Sequence, residues 1–195
     1  MELLSIASGS SGNCYYVGNE ETHLLVDAGV SGKKIETALN EIDRKPSDLN
    51  GILVTHEHID HVKGLGVMAR KHGIPIYTTG GTISEIKKMS SVGTIDDSLF
   101  HEIEPDEPFF INDLSIDASA IWHDAADPVC YSISDGKSKF SIATDMGNFD
   151  DYVVNKLKNS DIMVIEANHD IRMLQAGPYL SLIHISEPTR LRRIS

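Results

Sequence analysis

Residues 55–61 read THEHIDH, and no other stretch constrains the chain as tightly. His56, His58, Asp60 and His61 all carry groups able to hold a metal, and they follow directly on the apolar run Gly51-Ile52-Leu53-Val54. A short apolar run bounded by polar residues reads as a buried strand, so the fold must deliver these side chains together at a strand end. Neutral imidazole with carboxylate and no thiolate suits zinc, manganese or iron(II). On an irregular loop His56 and His58 can face one ion, while Asp60 and His61, displaced along the chain, reach a second. So short a segment cannot close two coordination spheres, so other strand ends must contribute. His123 ends the strand IDASAIWH and Asp145 ends FSIATD. An aspartate can bridge two cations through its two oxygens, which makes Asp145 the natural shared ligand. Asp27, ending LLVDAG, can accept a hydrogen bond from a ligating imidazole and fix its tautomer.

Composition narrows the class. A chain of 195 residues, 41% hydrophobic and 24% charged, is long enough for one domain with its own core. Its apolar runs are too short to span a membrane, and no membrane partner is expected. MELLSIASGSSGNCYY lacks a basic segment and a long apolar core, so a cytoplasmic protein is expected, with Cys14 and Cys130 as reduced thiols. The net charge of −12 argues against a broad basic surface for nucleic acid, although two divalent cations would add positive charge where a phosphate would sit. The oligomeric state is not legible.

The rest of the chain alternates strand-like and helical stretches, an α/β pattern with a long β-rich middle, as two sheets packed between helices would give. Strands are expected at 2–7, 14–17, 22–26, 51–55, 76–78, 114–122, 130–134, 140–144 and 161–167. Helices are expected from Ser31 to about Asp43, after the histidine loop as far as Gly73, at 83–90 and at 152–158. The turn 8–13 either cradles an anion with its backbone N–H groups or is a plain hairpin turn. Ser11 and Asn13 there, with His169 of EANHD, are candidate substrate-binding residues. His23, His72 and His101 have no evident partners and read as surface histidines. The segment LSLIHISEPTRLRRIS, 180–195, is basic where the remainder is acidic and reads like an in-frame translation of a sequencing adapter. It is set aside as a non-native tail, leaving 1–179 as the domain.

HxHxDH after an apolar strand, with LLVDAG upstream and His and Asp at later strand ends, resembles the metallo-β-lactamase fold superfamily. Asp27, His56, His58, Asp60, His61, His123 and Asp145 match its hydrolase pattern in order. SGSSGNCYYV, HDAADPV, ATDMGN and EANHD resemble more narrowly its YycJ/VicX (WalJ) type, related to RNase Z and RNase J. The resemblance implies an αβ/βα sandwich, incomplete in its C-terminal half, with two divalent ions (zinc or manganese, with iron also able to serve) at the edge of the sheets. It also implies a further metal-binding histidine in a Gly-His motif that residues 1–179 lack; His184 of the tail is the one substitute in view.

The function expected is phosphodiester hydrolysis by a dinuclear metal-dependent hydrolase, an exonuclease on nucleic acid with DNA favoured. A bridging hydroxide held by Asp60 would attack the phosphate. The alternatives are a glyoxalase II-like thioester hydrolase and an inactive fragment. A di-iron redox role is disfavoured, because such members carry Glu where this chain has His58.

Overall fold

The computed structural model describes residues 1–148 and 150–165; His169 and the segment 180–195 lie outside the described residues. Two sheets stack face to face. The first orders β1 (Glu2–Ala7), β2 (Cys14–Gly18), β3 (His23–Val26), β4 (Gly51–Leu53), β5 (Ile76–Thr78) and β6 (Phe100–Glu102). It is antiparallel from β1 to β3 and parallel from β3 to β6. The second sheet runs β11 (Ile162–Ile165), β10 (Lys139–Ala143), β9 (Val129–Ser134), β8 (Leu114–Ala120) and β7 (Phe109–Ile111), antiparallel except for the β10–β11 pair.

The two-residue period of a strand sorts side chains between two cores. In β2 and β3, Tyr15, Val17, Leu24 and Val26 face the second sheet and meet Ile116, Ala118, Tyr131, Ile133 and Ile142. The alternate residues Cys14, Tyr16 and Leu25, with Ile52 and Val54, join Ile35 and Leu39 of α1 (Gly32–Glu41) and Leu65, Met68 and Ala69. Those last three belong to α3 (Leu65–His72), which follows the short α2 (Ile59–Val62); Ile86 of α4 (Gly80–Lys88) completes this layer. On the far side Cys130, Ala143 and Met146 pack against Val153 and Leu157 of α5 (Asp151–Leu157). The order of layers is therefore helix, sheet, sheet, helix.

Local chemistry sets the boundaries. Ser31 caps α1, its side chain accepting from the Lys34 N–H. Gly73 ends α3 in the left-handed region, φ 67°. The single helix expected after the histidine loop is two, because the chain turns at Gly64. An alanine there would put its Cβ 2.2 Å from the Val30 carbonyl oxygen. His23 is not a surface residue: it is 8% exposed, its Nδ1 2.8 Å from the Tyr16 hydroxyl. Its neutral form is favoured because burial lowers its pKa. His72 contacts Glu36 at 2.9 Å, and the exposed His101 stacks on Tyr77. No helix among the described residues is long and apolar enough to cross a membrane.

Candidate metal centre

The carboxyl ends of β3, β4, β8 and β10 meet at one rim of the stacked sheets, and Asp27, His56, His58, Asp60, His61, His123 and Asp145 stand there, while His184 lies outside the described residues. Asp27 follows β3, His56 to His61 follow β4, His123 follows β8 and Asp145 follows β10. Asp27 and Asp145 both have positive φ, 60° and 53°. For a residue with a Cβ that region costs about 1 kcal/mol or more, so each must be held by its surroundings.

For Asp27 the restraints are visible. It is fully buried; its N–H donates to the Leu53 carbonyl, and Oδ1 accepts from the Thr55 N–H at 2.8 Å. Thr55 Oγ1 donates to Oδ2 at 2.9 Å, and the same Oδ2 lies 2.8 Å from His61 Nδ1. With Nδ1–H committed to Asp27, Nε2 of His61 faces inward, 2.8 Å from Asp145 Oδ2 and 3.7 Å from Asp60 Oδ2, where it donates to Asp145 when protonated and offers its lone pair to a cation when not. A carboxylate behind a histidine is the support that ligating imidazoles use. Burial would depress the pKa of His61, but Asp27 and Asp145 outweigh it and carry it up to about 10. Burial likewise pushes the Asp145 carboxyl up, and His61, His56 and His123 overcome this to hold it below the usual range.

His56 is the reverse case. Its Nδ1 lies 3.0 Å from Thr55 Oγ1, while Nε2 is buried with no hydrogen-bond partner among the described residues. Burial first, then the neighbouring histidines, drives its pKa down to about 2. A neutral imidazole with an orphaned buried nitrogen is costly unless something electropositive takes the lone pair. Among the described residues two groups of three ligand atoms stand out, the atoms of each lying within 4.8 Å of one another: His56, His58 and His123, and His56, His61 and Asp145. Nε2 of His123 and Nδ1 of His58 are 3.1 Å apart. These donors fit divalent cations of the zinc or manganese kind. His56 belongs to both groups, whereas Asp145 joins only the second.

Three further residues shape the centre. Asn13, 1% exposed, accepts the Gly9 N–H on Oδ1, which turns its amide nitrogen to within 3.0 Å of His61 Nε2. The turn 8–13 is thus packed against the centre, with Ser11 exposed on its outer side. Sequence reading missed Thr55, whose hydroxyl serves Asp27 and His56 together, and Glu57, whose Oε1 accepts the Ala126 N–H at 2.8 Å and ties the histidine loop to the loop after His123. Their places inside and beside HxHxDH were the available signal. Asp27→Asn should keep the fold but weaken His61 as a donor, lowering metal affinity about 10–100-fold. Competition with a chelating dye would measure it, and an unchanged affinity would remove Asp27 from this role.

Stacked sheets between helices, with histidines and aspartates gathered at one rim, define the class of metallo-β-lactamase-like folds. The chain belongs to the β-lactamase superfamily domain family, which it matches over residues 22–187. It is 41% identical over 174 residues to exodeoxyribonuclease WalJ of Streptococcus pneumoniae, covering 89% of this chain and 65% of that protein. Exodeoxyribonuclease YycJ of Bacillus anthracis is 38% identical over the same shares. The chain thus spans about 65% of the length of these relatives. Among solved structures it resembles Zn(2+)-bound PqqB from Methylobacterium extorquens, at TM-score 0.67 and 16% identity over 85% of this chain and 64% of that one. That likeness is one of fold.

Proposed function

We propose that this chain carries the metal centre of a dinuclear metal-dependent phosphodiesterase, an exonuclease acting on nucleic acid with DNA preferred. The observation that carries the reading is the buried Nε2 of His56, without a hydrogen-bond partner among the described residues and shared by two groups of candidate ligands. The names of the two relatives, both exodeoxyribonucleases, supply the substrate class.

In this reading His56, His58 and His123 hold one divalent ion, and Asp60, His61 and Asp145 hold the other with His56 nearby. When bound, two such ions supply a water of lowered pKa and positive charge beside the phosphate. The protein's own groups do the rest. Asp27 and Thr55 keep His61 and His56 in the tautomers that turn Nε2 inward. In this reading Asp60, whose Oδ2 lies 3.7 Å from His61 Nε2, orients the attacking water and accepts its proton. The amide of Asn13 offers a donor for developing negative charge on the phosphate oxygens.

Asp60→Asn should leave the circular dichroism spectrum unchanged and reduce cleavage of end-labelled DNA about 10²–10⁴-fold with manganese or zinc present. Thioester hydrolysis in the absence of any phosphodiester cleavage would overturn the nuclease reading in favour of a glyoxalase II-like one.

A further inference from the structure

We infer that Trp122 is a stacking platform that holds a base of a single-stranded nucleic-acid end beside the metal centre. The inference rests on the nuclease reading above and adds the group that positions the strand. Trp122 is 66% exposed, although tryptophan is strongly buried on average. Its backbone is nonetheless fixed on both sides. Ile121 is anchored in the apolar layer under α5, and its N–H donates to the Pro128 carbonyl. His123, next in the chain, brings Nε2 to 3.1 Å from His58 Nδ1. The Trp122 carbonyl accepts the Gly147 N–H at 2.7 Å, two positions beyond Asp145. The indole therefore projects into solvent from a rigid segment shared by two loops of the centre.

Charge makes such a platform useful. A chain of net charge −12 gains little affinity from general phosphate contacts, which depend on basic side chains displacing counterions. Stacking on an aromatic face is indifferent to that charge and to base identity, because every base has a π-face. For an acidic protein acting on nucleic-acid ends, such a contact supplies affinity that its bulk charge does not.

Trp122 is the only tryptophan in the chain, so its emission reports on this site alone. The purified protein in chelator would be titrated with a short oligothymidylate and with an abasic oligodeoxyribose phosphate of equal length. In parallel, the anisotropy of a labelled oligothymidylate would be followed for wild type, Trp122→Phe and Trp122→Ala. The expected result is quenching by the thymidylate and little by the abasic strand. Trp122→Ala should bind about 5-fold or more weakly, and Trp122→Phe should recover most of the loss, which a merely structural role would not produce. Equal quenching by both strands, or wild-type affinity in Trp122→Ala, overturns the platform. If the wild-type protein still cleaves oligonucleotides, the nuclease reading survives that result. Neither binding nor cleavage of any oligonucleotide would overturn both.

Discussion

Alanine at position 56 should empty the metal centre more completely than alanine at 58 or 61. His56 belongs to both groups of candidate ligand atoms, whereas His58 and His61 each belong to one. In the proposed two-ion reading its loss therefore removes an inner-sphere donor from one ion and a close neighbour from the other. Removing an outer partner of a ligand already costs about 10–100-fold in affinity, so loss of the shared histidine should exceed about 100-fold. Metal content of the purified variants, measured by mass spectrometry, should fall in the order wild type, then His58→Ala and His61→Ala, then His56→Ala. In the absence of metal the fold should change little, because deleting a buried nitrogen without a hydrogen-bond partner among the described residues offsets the lost Thr55 contact and the cavity left behind. A His56→Ala protein that melts no lower than apo wild type but holds almost no metal would separate ligation from structure. Full metal content in that variant would remove His56 from the centre.

The density of HxHxDH made the candidate centre legible, since each of its ligand types has only a few physical uses and together they have fewer. The strands that deliver it were legible for a different reason. β2 to β5 are apolar runs bounded by turn residues, as strands covered on both faces in the middle of this mixed sheet must be. β6 and β7 were not seen because each is three residues at a sheet edge, too short for a period of two to register. His23 was misread because its partner, the Tyr16 hydroxyl, comes from the neighbouring strand through the β2–β3 register, and spacing along one strand says nothing about that. Asp27 was recognised by its place after LLV, but its left-handed backbone was not, since nothing in LLVDAG marks Asp rather than Gly as the residue that turns. The same limit hid the role of Asn13. Its amide reaches His61 only because separate loops cross at the rim, and that crossing is a tertiary fact.

That crossing leads to the largest expected effect on stability, at Gly29. The Asn13 N–H donates to the Asp60 carbonyl at 2.7 Å, the Gly29 N–H to the Asn13 carbonyl at 2.8 Å, and the Ala28 N–H to the His61 carbonyl at 2.7 Å. Turn 8–13, the loop after β3 and the histidine loop are thereby joined main chain to main chain. Gly29 stands where they come closest: a Cβ there would lie 1.6 Å from the Asp60 carbonyl oxygen and 2.6 Å from the Asn13 nitrogen. Both obstacles are backbone, so no side-chain rotation relieves the clash. One of the loops must move, breaking at least one of these bonds in a buried setting. Overpacking typically costs about 1–3 kcal/mol, and an unsatisfied buried backbone group adds a similar amount, so Gly29→Ala should destabilise the protein by about 3 kcal/mol or more. For a chain of this size that lowers Tm by roughly 6–12 °C. The movement is transmitted to Asp60 and His61, so metal binding at His61 should weaken together with the fold while His58 and His123 keep their places. Thermal melts with and without added zinc would show both effects: a lower Tm for the variant, and a smaller upward shift on metal addition than in wild type. An unchanged melting curve would mean that the three loops can part at Gly29 without cost, and that their close approach does not position the centre.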